Sequence, residues 1–166
     1  LAYSAGHFSL TIAVMAFVTA TLLQILSNLA NDYGDAVKGT DNDNRLGPQR
    51  AMQSGAVTAD QMKKAIIFNI ILTAIAGLTL VFYALSSFES IITFIGLGIL
   101  AILAAIAYTM GSKPYGYVGL GDLSVFLFFG LLGVSGTYFL HTGHVDATLF
   151  LPCLLYTSDA ADDVAS

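Results

Sequence analysis

Four long apolar stretches, separated by short polar segments, constrain the fold of this chain more than any other feature. They cover residues 8–31, 59–86 and 91–110, and a fourth that begins at Val118 or Asp122 and ends at Leu140. About 20 apolar residues in a helix cross a hydrocarbon core of ~30 Å. An ordinary soluble domain is excluded, because 56% of the residues are hydrophobic and only 10% are charged. We predict an all-α, polytopic transmembrane helical bundle with about four complete spans.

Several residue types exclude other kinds of protein or site. The net charge of −5 disfavours a nucleic-acid partner. The single cysteine, Cys153, excludes an intramolecular disulfide and a cysteine-based metal cage. His7, His141 and His144 have no spacing typical of metal ligands, and we predict that His141 and His144 lie on the surface. Asn69, inside the second stretch, is expected to hydrogen-bond to a neighbouring helix rather than to bind a ligand.

Turn-forming residues and capping patterns indicate where the helices begin. Glycines and a proline predict an irregular loop over residues 33–59. Thr58 and Gln61 have the spacing of a capping box, so a helix is expected to start near residue 59. Ser86 and Glu89 have the same spacing around a very short turn, which predicts a second capping box and antiparallel neighbouring helices.

A charged segment, residues 27–53, separates the first two apolar stretches. It holds Asp32, Asp35, Asp41 and Asp43, four of the eleven carboxylates, and three of the six Lys/Arg residues. Ionisable groups at the end of a membrane helix are costly to bury, so their presence indicates a polar site. Two arginines in the turn-rich loop present guanidinium groups that suit phosphate oxygens: Arg45 and Arg50.

The spacing of the acidic and amide residues indicates a metal site. If the first helix continues through Asp35, then Asn28, Asp32 and Asp35 follow i, i+4 and i+7, and Asn31 lies one turn before Asp35. Carboxylate and amide oxygens without histidine or cysteine suit a hard cation such as Mg²⁺. Together with the arginines they predict a metal–diphosphate site. Intramembrane Asp and Asn residues are also compatible with a cation-coupled membrane transporter.

A second polar loop covers residues 108–122 and carries one basic residue, Lys113. All six basic residues lie on the two polar segments or just after the first of them: Lys38, Arg45, Arg50, Lys63, Lys64 and Lys113. The opposite turns, residues 86–90 and 141–146, carry no Lys or Arg, so both loops are expected to face the cytoplasm. These cations either bind diphosphate or only determine topology. Tyr108 has the position of an interfacial aromatic, and Asp122 has the position of a helix N-cap.

Two separated motifs carry a family resemblance that covers roughly residues 7–152. The first is NDYGD at residues 31–35, followed by RLGPQR at 45–50 and SGAVT at 54–58; the second is PYGYVGLGD at 114–122. They resemble the UbiA-type membrane prenyltransferases, and most closely the 1,4-dihydroxy-2-naphthoate polyprenyltransferase branch. The usual N-D-x-x-D-x-x-x-D pattern ends in an acid, whereas Gly39 takes that place here and Asp41 follows two residues later.

The resemblance implies Mg²⁺-dependent transfer of a polyprenyl group from its diphosphate to 1,4-dihydroxy-2-naphthoate, giving demethylmenaquinone. A different aromatic acceptor, such as 4-hydroxybenzoate, is the alternative within the family. By this resemblance the metal ligands are Asp32, Asp35, Asn28, Asn31 and Asp41. The substrate-binding residues are Asn28, Asn31, Arg45, Arg50, Lys113 and Asp122, and Tyr108 joins the two aspartates as a catalytic residue. The expected location is the inner membrane of a bacterium.

The two ends of the chain predict a partial domain. Residues 1–6 look like the end of an earlier helix, and the second aspartate-rich region of the family is absent between Leu123 and Leu155. After Tyr156 the composition changes to TSDAADDVAS. We expect residues 1–155 to be a prenyltransferase domain truncated at both ends, residues 156–166 to be a non-native or disordered tail, and this polypeptide to be inactive alone.

Overall fold

Helices form the framework of the chain. The computed structural model describes residues 1–39, 50–108, 110, 123–124, 126–146 and 149, with only the backbone at Phe129. Over these residues no strand is present, and the helices are α1, Leu10–Lys38; α2, Ala59–Ala84; α3, Phe88–Ala107; and α4, Phe126–Thr142. Three of them, α1 to α3, are long and apolar enough to cross a membrane. The predicted all-α transmembrane bundle is confirmed, and the chain is an integral membrane protein.

The fourth predicted span is described only in part, as α4. Its first section, Phe126–Ser135, is π-helical, and its second, Gly136–Thr142, is α-helical. A π-helix hydrogen-bonds from i to i+5 and is usually limited to a single turn, so a section of 10 residues is unusual. The predicted beginning of this span and the predicted tail, residues 156–166, lie outside the described residues.

The end of α1 differs from the prediction, which started an irregular loop at residue 33. The helix continues to Lys38 and ends at Gly39, whose φ of 68° is left-handed. Gly39 donates its backbone N–H to the carbonyls of Asp35 and Ala36, which closes the helix. Gly34 stays within the helix as a buried residue. A glycine inside a helix is less favourable than alanine by only ~1 kcal/mol, so Gly34 alone does not end α1.

One of the two predicted capping boxes forms. At the start of α2, Gln61 N donates to Thr58 Oγ1 at 3.3 Å and Thr58 N donates to Gln61 Oε1 at 2.9 Å. The second prediction is wrong, because α3 is capped by Ser87, which makes no side-chain capping bond. Since α3 begins at Phe88, Glu89 falls at the second helical position, one short of the position that reaches back to the cap.

Apolar clusters at the two ends of the bundle show the helix directions. One cluster joins Ile12, near the start of α1, to Leu80 near the end of α2. The other joins Leu26 of α1 to Met62 at the start of α2, with Ile106 at the end of α3 packed against it. Adjacent helices are therefore antiparallel. We call the end where α1 and α3 finish the loop end, and the end where α1 begins and the α2–α3 turn lies the turn end.

The outward faces of the helices are apolar and exposed. Phe17 of α1 is 72% exposed, and Phe68 and Phe82 of α2 are 63% and 62% exposed. A soluble protein rarely leaves contiguous apolar surface of this extent in water. α2 is the most buried of the three long helices, and it packs against both α1 and α3. The exposed faces are suited to contact with lipid acyl chains.

Two polar residues differ from their predicted surroundings. His141 is half-buried at the turn end, where its Nδ1 accepts the Ser9 N–H at 3.2 Å and its ring stacks on Phe8 at 5.6 Å between centroids. The prediction of a surface residue is wrong for His141, because α4 brings it against the start of α1. The described hydrogen bond of Asn69 lies within α2, where Thr73 Oγ1 donates to Asn69 Oδ1 at 3.3 Å.

Candidate functional site

The last turns of α1 carry the predicted acidic and amide residues. Because the helix is continuous to Lys38, Asn28, Asp32 and Asp35 occupy successive turns, which is the condition that the metal-site prediction required. Their exposure differs: Asn28 is exposed, Asn31 and Asp35 are partly buried, and Asp32 is buried. Of these four polar side chains on α1, Asp32 is therefore the most buried.

Asp32 has the least satisfied side chain of these residues. It is 9% exposed, and its Oδ1 is buried without a hydrogen-bond partner within the part of the chain that the structure describes. A buried carboxylate oxygen without a partner is costly, and nearly all buried polar atoms in proteins have one. An oxygen in this position is suited to a ligand that supplies positive charge or a donor.

Asp35, one turn later, has a protein partner. Its Oδ2 accepts a hydrogen bond from Nη1 of Arg50, and the two groups form an ion pair. The side chains are 13% exposed for Asp35 and 27% exposed for Arg50, so the pair is largely screened from solvent. Hydrogen bonds between charged groups are stronger than those between neutral groups. Arg50 was predicted to bind phosphate, and in this structure it binds a carboxylate of the predicted metal site.

A short turn holds Arg50 at this place. The backbone N–H of Ser54 donates to the Arg50 carbonyl at 2.9 Å, and the Arg50 N–H donates to Gln53 Oε1 at 3.4 Å. The next residues, Ala51 and Met52, pack against the cluster built on Leu26, Met62 and Ile66 at the loop end. Burial of these side chains fixes the backbone beside Arg50, while the long arginine side chain reaches α1.

A lysine for which the sequence left topology and diphosphate binding both open also lies at this site. Lys63 Nζ is 5.7 Å from the ring centroid of Tyr33, the residue that follows Asp32. Its neighbour Lys64 instead pairs with Asp60 at 2.8 Å on the outside of α2, where both side chains are about three-quarters exposed. Sequence reasoning missed the difference between the two lysines. The available signal was that Lys63 follows Met62, which is buried.

The remaining predicted site residues divide into one that is described and four that are not. Tyr108 is partly buried and caps the C-terminus of α3 at the loop end, with its N–H bonded to the Ala104 carbonyl at 3.0 Å. Arg45, Asp41, Lys113 and Asp122 lie outside the described residues. Over the described ranges, no group of three His, Cys, Asp or Glu residues forms a metal cluster.

The described donor set fits a magnesium ion bound together with a phosphate. Mg²⁺ keeps several waters and commonly takes one or two carboxylates from the protein, the rest coming from substrate phosphate. Asp32 and Asp35 supply two carboxylates on one helix, and the unpartnered Asp32 oxygen is open to a cation. Amide oxygens of Asn28 and Asn31 lie on neighbouring turns of the same helix.

An apolar groove lies apart from these acids. It has a volume of about 870 Å³ and lies between α3 and α4, with Leu97, Leu100, Leu103, Leu131 and Phe139 among its lining residues. Ala107 marks its loop end and Glu89 its turn end, so it extends along the whole of α3. Its walls are suited to a long hydrocarbon chain.

Comparison with known proteins provides the relatives. The model of the UbiA prenyltransferase family matches residues 1–158. Proteins named 1,4-dihydroxy-2-naphthoate octaprenyltransferase are similar to this chain. The Escherichia coli protein is 51% identical over 152 residues, which is 92% of this chain and 49% of the relative. The Haemophilus influenzae protein is 48% identical over 147 residues, covering 89% and 48%.

A more distant relative of the same name, from Mycobacterium tuberculosis, is 42% identical over 134 residues, which is 81% of this chain and 44% of the relative. The chain thus spans about half the length of the curated relatives that it matches. No solved structure matches it.

Proposed function

This chain belongs to the UbiA prenyltransferase family, and we propose that it takes part in transferring a polyprenyl group from polyprenyl diphosphate to 1,4-dihydroxy-2-naphthoate. Diphosphate leaves, the ring loses its carboxylate as CO2, and the product is demethylmenaquinol, the reduced form of demethylmenaquinone. The observation that carries the proposal is the Oδ1 of Asp32, which is buried without a hydrogen-bond partner among the described residues, one turn from the Asp35–Arg50 ion pair. The names of the relatives favour the naphthoate over 4-hydroxybenzoate as acceptor. Family membership disfavours the transporter alternative.

In this proposal the acids of α1 hold Mg²⁺. Asp32 and Asp35 are the main ligands, and Asn28, Asn31 and Asp41 are the further candidates. When bound, the ion neutralises negative charge on the leaving diphosphate. Placement on one helix keeps the oxygens of Asn28, Asn31, Asp32 and Asp35 together without loop rearrangement, because successive turns of α1 set their spacing.

The basic residues bind the diphosphate. The guanidinium groups of Arg45 and Arg50 and the ammonium group of Lys113 donate hydrogen bonds to its oxygens, and these bonds strengthen as the allylic C–O bond breaks and negative charge develops. Asp122 lies in the second loop as a further contact. The electron-rich ring carbon of the acceptor attacks the allylic carbon, so no protein nucleophile is required.

The helices surround the isoprenoid and exclude water from the reacting carbon. Tyr108, at the loop end of α3, is proposed to face the allylic carbon, and the apolar groove between α3 and α4 is suited to the isoprenoid tail. The concentration of Lys and Arg on the two loops favours a site that opens to the cytoplasm from the inner membrane of a bacterium.

A chimeric enzyme tests the proposal, because the chain spans half of its relatives. The segment of the E. coli relative that matches this chain is replaced by this chain, and Mg²⁺-dependent product formation is followed by mass spectrometry. We expect demethylmenaquinol or its oxidised form as the product, with 4-hydroxybenzoate failing to compete. A chimera that folds in the membrane and prenylates 4-hydroxybenzoate in preference to the naphthoate would contradict the proposed acceptor.

A further inference from the structure

The two carboxylates of α1 have opposite partners although they lie one turn apart. Asp32 Oδ1 is buried without a hydrogen-bond partner among the described residues, whereas Asp35 is paired with Arg50. A cation bound by both carboxylates therefore meets Asp32, whose Oδ1 has no partner among the described residues, and Asp35, which is already paired with a positive group. The difference makes Arg50 part of the binding equilibrium of the cation.

A divalent cation and a guanidinium group compete for the same carboxylate. Both are positive, and their mutual repulsion rises steeply when they share one oxygen in a site screened from water. Asp35 is 13% exposed, so solvent weakens this repulsion only in part. Strong binding of the cation through Asp35 thus favours departure of the guanidinium.

The structure allows the side chain of Arg50 to move while its backbone stays. Ala51 and Met52 are packed into the apolar cluster at the loop end, and the Arg50 carbonyl is bonded to Ser54 N–H. The Arg50 side chain is 27% exposed, which leaves one side open for reorientation. A guanidinium group that leaves a carboxylate finds an equivalent partner in a phosphate, which it binds with the same two-pronged geometry.

We propose that Arg50 occupies Asp35 in the metal-free protein, is displaced when a divalent cation binds, and passes its hydrogen bonds to the phosphate of the incoming diphosphate. This inference rests on the proposed metal–diphosphate site and adds an exchange to it. The exchange couples the two ligands: the cation releases the phosphate donor, and the phosphate removes the competitor of the cation. Such coupling is reciprocal by thermodynamic linkage.

The test measures cation binding and requires no turnover. The chain is reconstituted in lipid nanodiscs and titrated with Mn²⁺ alone, with free Mn²⁺ read by electron paramagnetic resonance. Arg50→Gln is expected to tighten Mn²⁺ binding about 5- to 150-fold, the usual range of coupling between linked sites. Lys64→Gln removes the same charge from the exposed pair with Asp60 and is expected to change the Kd by less than about 2-fold.

Two further variants separate exchange from altered packing. Arg50→Lys keeps a positive group beside Asp35 and is expected to bind Mn²⁺ within about 3-fold of the wild type, as a charge-conserving substitution of the competitor. An Asp35→Asn background lacks the carboxylate for which the cation and Arg50 compete. Arg50→Gln should therefore tighten Mn²⁺ binding no further in that background. This double-mutant cycle isolates the Asp35–Arg50 interaction. Circular dichroism verifies the helix content of each variant.

The outcomes distinguish the exchange from the site itself. Unchanged or weaker Mn²⁺ binding by Arg50→Gln overturns the exchange, and so does tightening that persists in the Asp35→Asn background. If Asp32→Asn weakens binding in the same series, the proposed metal site survives that result. If neither Asp32→Asn nor Asp35→Asn weakens Mn²⁺ binding, the metal site fails and the exchange fails with it.

Discussion

The two ends of α1 treat polar groups in opposite ways. At the turn end, Ser9 caps the helix, its backbone N–H is accepted by His141, and Phe8 covers the imidazole. At the loop end, Asp32 Oδ1 is the buried side-chain atom that lacks a partner among the described residues. The polar groups at the turn end are satisfied within the fold, whereas the Asp32 oxygen at the loop end is where we propose that a ligand binds.

The largest expected effect comes from removing the unpartnered carboxylate. Asp32→Asn in the chimeric enzyme should lower Mg²⁺-dependent transfer about 100- to 1,000-fold, the usual loss when one group that stabilises charge in the transition state is removed. Folding should be retained, because asparagine has nearly the size of aspartate and Oδ1 of Asp32 has no hydrogen bond to lose among the described residues. Asp60→Asn is the matched control, since Asp60 is an exposed acid at the same end. Near-normal turnover by Asp32→Asn contradicts the ligand assignment.

Apolar substitutions at the two ends sharpen the comparison. Leu26→Ala at the loop end and Leu140→Ala at the turn end should each lower the free energy of unfolding by about 2–3 kcal/mol, because both leucines are buried in clusters. Only Leu26→Ala should also change Mn²⁺ binding, and it should tighten it, since its cluster supports Met52 beside Arg50, the competitor of the cation. Denaturant unfolding in detergent micelles and Mn²⁺ titration measure the two effects. Equal Mn²⁺ affinities of the two variants would show that this cluster does not support the site.

His141→Ala probes the satisfied end alone. It removes the acceptor of the Ser9 N–H and the stack on Phe8 and should cost about 1–2 kcal/mol of unfolding free energy. Mn²⁺ affinity should not change, because the imidazole lies at the opposite end of α1. His7→Ala, at an exposed position, is the control. Weaker Mn²⁺ binding by His141→Ala would mean that the two ends are not independent.

The smallest effect separates the two predicted capping boxes. Thr58→Ala should destabilise by about 1 kcal/mol, since the threonine hydroxyl accepts the Gln61 N–H. Ser87→Ala should change stability by a few tenths of a kcal/mol at most, because Ser87 makes no side-chain capping bond. Thermal unfolding of both variants measures the difference, and equal losses would contradict the described caps.

Much of the fold followed from the sequence because apolar length and capping chemistry are local. The apolar stretches predicted the helices, and Thr58 predicted the start of α2. The end of α1 and the cap of α3 were misplaced, since Gly34 and Ser86 carry the local signals of a break and a cap. In the structure, Gly39 ends α1 and Ser87 caps α3 instead.

The candidate site followed from the sequence only in part. Helical spacing predicted that the acids share a surface of α1, but the pairing of Asp35 with Arg50 spans 15 residues and depends on the packing of Met52. The burial of Asp32 likewise comes from tertiary packing. The roles of Arg45, Asp41, Lys113 and Asp122 stay predictions from the resemblance.

The central claim is that the loop end of α1 binds a divalent cation through Asp32, and cation affinity tests it most directly. Mn²⁺ titration of the chain in nanodiscs compares the wild type with Asp32→Asn and with Asp60→Asn, which removes an equal charge from an exposed position. We predict that Asp32→Asn weakens binding at least about 10-fold, as loss of a ligand requires, and that Asp60→Asn changes it by less than about 2-fold. Equal affinities of Asp32→Asn and the wild type would contradict the account.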